Sequence, residues 1–176
     1  MPELAGRLLV AHPKLADPNF HRAVVLVLAN NDDGAIGVVL NRPSDTSVAE
    51  ALPGWEDVAS VPAAVFVGGP VQTSTVIALA VSRIKEDVAS LSAFDLDDGP
   101  EAAADKVSGL RMFAGYAGWG PGQLEEEIEK GGWFVVPADV GDGLTEEPDK
   151  LWKNVLRRQP GDLALVSAYP DDPEMN

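Results

Sequence analysis

The sequence predicts an α+β fold, a mostly antiparallel, barrel-like β-sheet core flanked by short helices, and three observations point there. Short apolar runs rich in Val, Ile and Leu recur along the chain. Clusters of Gly, Pro, Asn and Asp separate them. The helical patterns between them are brief and follow no regular βαβ spacing, which argues against a doubly wound parallel sheet.

The clearest element is a hairpin. Residues 23–29 (AVVLVLA) and 35–40 (AIGVVL) are strand-like, and Asn30, Asn31, Asp32, Asp33 and Gly34 supply turn chemistry between them. Pairing Ala29 with Ala35 sets Leu28 against Ile36, Leu26 against Val38 and Val24 against Leu40 on one bulky face. The other face carries Ala23, Val25, Val27, Ala35 and Val39. Both faces are apolar, so the ribbon is expected inside the fold. Ser47 followed by Glu50 is a capping-box pattern that opens a short helix, stopped by Pro53 and Gly54. Strands are expected at residues 65–67 and 76–81, and residues 90–98 form a polar, acidic connection. A short helix at 101–107 and a strand at 110–114 follow.

Gly120, Pro121 and Gly122 lead into a helix over residues 123–130, with carboxylates early and Lys130 at its end, as the helix dipole favours. Leu124 and Ile128 form its buried edge. Residues 133–136 (WFVV) return as a strand. The last helix spans 148–158 with Leu151, Trp152, Val155 and Leu156 on one stripe, and residues 163–166 add a strand. At 176 residues, one domain over residues 1–169 is expected, followed by a mobile tail at 170–176.

Composition limits function. The formal charge of −15 opposes a nucleic-acid backbone unless the few cations share one face. Cysteine is absent, which removes thiolate metal sites and a Cys nucleophile and agrees with a reducing compartment. The first residues do not read as a secretory leader, and the longest apolar run, 23–29, is far shorter than the roughly 18 residues a membrane span needs. A soluble, cytoplasmic protein is expected.

The hairpin also yields a site. In the predicted register Arg22 stands opposite Arg42, and like charges directly opposed across strands repel. Something negative is therefore expected between them: Asp17, Asp45 or an anionic ligand. A one-residue slip would dissolve the pair. The ligand pocket expected on this basis comprises Phe20, Arg22, Asn41, Arg42, the Gly68-Gly69-Pro70 turn, Tyr116, Trp119 and Gln123. His12, Asp17 and His21 do not make a persuasive metal set, and neither glycine-rich stretch is a Walker loop or a dinucleotide fingerprint, so no metal and no cofactor are expected. No nucleophile with a partnered base is evident, and catalytic residues stay unassigned.

Several motifs carry a likeness. Leu8 to Pro13, Asp17-Pro18-Asn19-Phe20, Gly34 to Gly37 with Leu40-Asn41-Arg42-Pro43, Gly68-Gly69-Pro70-Val71, and above all Gly115-Tyr116-Ala117-Gly118-Trp119 with Gly122-Gln123-Leu124-Glu125 and Trp133 resemble the AlgH/YqgE family of bacterial proteins. The resemblance runs from about residue 6 to 156. It implies a small cytoplasmic α+β protein, without an activity or catalytic residues, although the family carries the label of a transcriptional regulator. The chain departs from the commoner pattern at Ala29-Asn30 and at Ala80, where many members have histidine. Three functions are carried forward: a binder of a small anion or metabolite, a protein-interaction module with an acidic surface, and a DNA-binding regulator. The last must rely on Lys150, Lys153, Arg157 and Arg158, the best basic cluster. Oligomeric state is not legible.

Overall fold

The computed structural model describes residues 3–83 and 91–170. Its strands in chain order are β1 (Leu8–Ala11), β2 (Val24–Asn31), β3 (Gly34–Val39), β4 (Pro43–Ser47), β5 (Ala64–Val67), β6 (Val71–Ser82), β7 (Leu91–Phe94), β8 (Val107–Trp119) and β9 (Trp133–Val136). The α-helices are α1 (Val48–Ala51), α2 (Pro100–Lys106), α3 (Gln123–Glu129) and α4 (Leu151–Arg157). One mixed sheet runs β4-β5-β8-β3-β2-β1-β9, with β6 and β7 added beside β8. The β5–β8 pair is parallel and the other pairs among the described residues are antiparallel. Its path is open from β4 to β9, so the sheet does not close into the expected barrel. No helix among the described residues is long and apolar enough to cross a membrane.

The hairpin is tighter at its tip than the sequence implies. Asn31 pairs with Gly34 around Asp32 and Asp33, whose N–H donates to Asn31 Oδ1 at 2.8 Å. That shifts the pairing beside the turn by one residue: Ala29 faces Ile36 and Asn30 faces Ala35, in place of the expected Leu28–Ile36 and Ala29–Ala35 pairs. A bulge at Leu28 absorbs the extra residue, so Leu26 faces Val38 as expected. Glycine is required at position 34, since a Cβ there would lie 2.2 Å from the Trp119 carbonyl oxygen.

Away from the turn both faces of the ribbon are buried, whereas at its tip Ala29 and Ile36, the latter expected on the bulky buried face, are exposed. Leu8, Val10, Val24, Leu26, Val38 and Leu40 pack on Leu151, Trp152, Val155 and Leu156, so α4 covers the bulky face. Burying those four helix side chains contributes roughly 6–12 kcal/mol before entropy is counted. Ala23, Val25, Val27, Ala35 and Val39 pack on Trp119, Trp133 and Leu124 of α3. The predicted stripes of α3 and α4 are therefore the ones buried. At α1 the Ser47 hydroxyl accepts the Glu50 N–H at 3.2 Å.

Three further differences have physical causes. β8 extends beyond the expected 110–114 through Gly115-Tyr116-Ala117-Gly118-Trp119, whose Ala117, Gly118 and Trp119 pair with β3. Gly115, at φ +76, is the corner at which β8 leaves β5 for β3. Residues 163–166 are not a strand: Gly161–Ala168 is a 3-10 helix whose Leu163 and Val166, with Tyr169 just beyond its end, recur every three residues against the core. Strands β1, β4 and β7 were not expected. β4 is polar and β7 lies in the segment read as an acidic connection, so each is recruited by a neighbouring strand's unpaired edge rather than by its own propensity. Ser90 and tail residues 171–176 lie outside the described residues.

Candidate functional site

The bulge at Leu28 restores the register at the hairpin end remote from the turn. There the Leu40 N–H donates to the Val24 carbonyl at 2.8 Å, and Arg22 and Arg42 each lie two residues outward of that pair. Asn41 bridges the strands as they part. Its Oδ1 accepts the Val24 N–H at 3.0 Å and its Nδ2 donates to the Arg22 carbonyl at 2.9 Å. An amide suits this position because it offers an acceptor and a donor side by side, and Asn41 is only 8% exposed.

Arg22 holds a left-handed backbone, φ +54, which costs a residue with a Cβ roughly 1–2 kcal/mol. The conformation is held in place by what the side chain reaches. Its guanidinium lies 4.3 Å from the centre of the Trp152 ring and its Nη2 donates to the Tyr169 carbonyl at 2.6 Å. Trp152 is itself fixed by an Nε1 hydrogen bond of 2.9 Å to the Ala11 carbonyl at the end of β1. Arg42 donates through Nη2 to the His21 carbonyl. Burial pulls the Arg42 pKa below its ordinary value, and among the described residues no carboxylate pairs with it. The expected ion pair of Arg42 with Asp17 or Asp45 is therefore not formed: a main-chain carbonyl, which needs no extra carboxylate in the fold, takes that place.

Both arginines line a cleft of about 890 Å³. The hairpin end and its approach form one wall, with Pro18, His21, Asn41 and Pro43. Pro148, Asp149, Lys150, Trp152 and Lys153, at the start of α4, form the other. The Lys150 Nζ lies 2.8 Å from Glu147, a hydrogen bond that raises the lysine pKa. Lys153 forms no ion pair among the described residues. The basic cluster assigned to this helix is thus divided, because Arg158 turns away to Asp142, at 2.5 Å, and to Asp139. Its hydrogen bond to Asp142 raises the Arg158 pKa.

The other expected pocket residues lie elsewhere. Phe20, Trp119 and Gln123 line a second cleft of about 320 Å³, where Glu127 Oε2 accepts the indole N–H of Trp119 at 2.7 Å and of Trp133 at 3.2 Å. Tyr116 and the opposite side of Trp119 line a third, of about 380 Å³, beside Ile36 and Val71. Gly68 and Gly69 are buried where the chain crosses β8. A Cβ on Gly69 would lie 2.1 Å from the Tyr116 carbonyl carbon, and Pro70 is exposed just beyond. The predicted set therefore separates: Arg22, Asn41 and Arg42 share the cationic cleft, and Phe20, Gly68, Gly69, Pro70, Tyr116, Trp119 and Gln123 do not line it. His12 is engaged locally, its Nδ1 accepting the Lys14 N–H at 3.1 Å and its ring 5.5 Å from that of Phe134.

Two groups escaped the sequence reading. Lys150 and Lys153 were assigned only to a helix face, since nothing local says that Trp152 will slide beneath Arg22. Arg111, 1% exposed in the middle of β8, was hidden in an apolar run. Its guanidinium lies 4.3 Å from the centre of the Phe66 ring and donates to the carbonyls of Gly143 at 3.2 Å, Thr145 at 2.8 Å and Val61 at 2.8 Å. Burial lowers its pKa to about 10, which still leaves it charged at neutral pH, and Glu146 opposes that shift. Arg111 ties two loops to the sheet and lies outside the clefts described above.

An open mixed sheet backed by short helices, with a surface cleft lined by two arginines and two lysines, defines the class of protein. The chain belongs to the AlgH-like family, whose profile matches residues 8–164. It is 49% identical over 184 residues to a UPF0301 protein of Streptomyces coelicolor, covering 98% of this chain and 95% of that one. A UPF0301 protein of Thermobifida fusca is 45% identical over 189 residues, with 98% and 96% covered. The crystal structure of protein DIP2367 from Corynebacterium diphtheriae superposes with a TM-score of 0.90 at 34% identity over 96% of this chain and 94% of that one. The solution structure of the AlgH protein from Pseudomonas aeruginosa gives 0.71 at 30% identity, over 96% and 95%. These names carry no biochemical activity with them.

Proposed function

We propose that this protein binds a small anionic ligand in the cleft between the end of the β2–β3 hairpin and α4. One observation carries the reading: in a chain of net charge −15, Arg22, Arg42, Lys150 and Lys153 meet around a single cleft in which, among the described residues, Asp149 is the one acidic lining residue. Cations gathered against the overall charge focus a positive potential where the rest of the surface repels anions. Arginine forks suit carboxylate and phosphate oxygens, and Arg42 keeps Nε and Nη1 unengaged among the described residues. DNA binding is disfavoured, because Arg158 is committed to Asp139 and Asp142 and the cleft is small beside a duplex face.

Thermal unfolding against inorganic phosphate, sulfate and citrate at low salt tests this. A ligand at a hundred times its Kd stabilises by about 2.7 kcal/mol, which for a domain of this size raises Tm by roughly 5–10 °C. Arg42→Gln is expected to remove that rise with little change in the Tm of the unliganded protein. If no anion raises Tm, or if the variant keeps the full rise, the reading is wrong.

A further inference from the structure

The cleft that holds Phe20, Trp119 and Gln123 shares no lining residue with the cationic one, and its chemistry is the opposite. One wall is aromatic. The Phe20 ring stacks on Trp119 at 6.2 Å and meets Trp133 edge-on at 5.5 Å, and the two indoles are T-shaped at 6.2 Å. Packed on one another, the rings form a wall rather than a box held open round a ligand. Both indole N–H groups donate to one atom, Glu127 Oε2, so neither is left for an anion. Glu127 Oε1 has, among the described residues, the Gln123 Nε2 at 3.5 Å, too long for a strong hydrogen bond.

The charge on Glu127 is more than the fold requires. An amide oxygen also has two lone pairs, so glutamine would accept the same two indole hydrogens. Glu127 stands in the last turn of α3, where the helix dipole disfavours a carboxylate, and that turn also holds Glu126 and Glu129 with no basic residue. Lys130, just beyond, lines the cleft, donates to Glu126 at 2.8 Å and is drawn more weakly by Glu127. Asp17 lines the cleft from the loop before β2, its Oδ1 accepting the Asn19 N–H at 2.9 Å. With Glu126 counted, three carboxylates stand against one ammonium among the described residues here. Surplus negative charge beside aromatic rings favours a cation, through charge-assisted hydrogen bonds and through the rings' own electrostatics. A volume of about 320 Å³ lies at the small end of ligand sites. We infer that this cleft binds a small alkylammonium ion, its N–H donating to Glu127 Oε1 and its alkyl body lying on the aromatic wall. Because the rings enclose no box, recognition of the charge falls to the carboxylates, and the nitrogen must carry hydrogen: a primary amine, not a quaternary one.

NMR of the full chain at about 0.05 M salt tests this, with n-butylammonium, n-butanol and tetramethylammonium as probes. The indole N–H signals of Trp119 and Trp133, which report on Glu127, are expected to shift saturably with butylammonium while those of Trp55 and Trp152 stay fixed. Half-saturation should need at least about tenfold more butanol or tetramethylammonium, and added salt should weaken the butylammonium response. Glu127→Gln keeps the shared acceptor and Asp17→Asn keeps the turn at Asn19, so both variants are expected to fold. The first should lose the saturable shift and the second should weaken binding about threefold or more. An equal response to butanol would reduce the cleft to an apolar surface, and an equal response to tetramethylammonium would move recognition to the rings; either overturns the inference. So does the lack of any response, or undiminished binding by Glu127→Gln. Should Glu127→Gln fail to fold, Asp17→Asn decides, and unchanged affinity there overturns the inference as well. None of these results bears on the anion cleft, which the phosphate, sulfate and citrate series tests separately.

Discussion

Replacing Asn41 by alanine isolates the group that holds the cleft's arginine wall in register. Two hydrogen bonds, 3.0 Å from the Val24 N–H and 2.9 Å to the Arg22 carbonyl, vanish together. Val24 is fully buried, so its N–H is left without water and the cost sits near the top of the 1–3 kcal/mol range for an orphaned buried group. Arg22 is half-buried and its carbonyl can find water, so its loss adds about 1 kcal/mol. The sum is roughly 3–4 kcal/mol. At about 2–4 °C per kcal/mol, Tm falls by roughly 6–16 °C. Urea unfolding at neutral pH measures the difference directly. Anion binding should fail as well, since the loss frees the strand ends that carry both guanidinium groups. A loss of stability under about 0.5 kcal/mol would show that the β2–β3 ladder needs no side-chain bridge, and the account of the wall would fall with it.

Other substitutions test other parts of the fold. Gly69→Ala places a Cβ 2.1 Å from the Tyr116 main chain, where no side chain can yield, so loss of soluble folded protein is expected. A near-normal Tm would refute the backbone crossing. At position 22, Arg22→Gly should be more stable than Arg22→Ala by about 1 kcal/mol, because only the alanine variant retains the left-handed strain; equal stability in urea would mean that φ relaxes. Arg111→Ala orphans three carbonyls and opens space beneath Phe66, for a loss of roughly 3 kcal/mol or more by chemical denaturation. Burial lowers the Arg111 pKa from its ordinary value to about 10, so below about pH 10 folded and unfolded chains both hold the proton and the fold bears the full cost of the buried charge. That cost is recovered only as pH rises above about 10, towards the ordinary arginine value. The stability difference between wild type and Arg111→Ala should therefore be flat from pH 6 to 9, and a slope in that window would contradict the assignment.

Local pattern carried much of the architecture. Both buried faces of the hairpin, the Ser47 cap, the stripe Leu151, Trp152, Val155 and Leu156, and the pairing of Leu26 with Val38 are all legible from alternation, helical spacing and turn residues. Each depends on residues within a few positions of one another. Juxtaposition of Arg22 and Arg42 was legible for the same reason, although the offset at the turn would have broken it without the bulge at Leu28.

Tertiary structure alone decided the rest. β4 and β7 are strands because a neighbouring edge offers unpaired N–H and C=O groups, and residues 163–166 become a 3-10 helix because their apolar period of three fits the surface beside α4. Phe20, Tyr116, Trp119 and Gln123 were grouped with the arginines by motif, but the long strand β8 carries Tyr116 and Trp119 to other clefts. Lys150 and Lys153 join the arginines across more than a hundred residues only because Trp152 packs beneath the Arg22 guanidinium. Periodicity in a sequence reports which side chains leave water. Which distant charges then share a cleft depends on how the buried faces stack, a global packing solution that no local window contains.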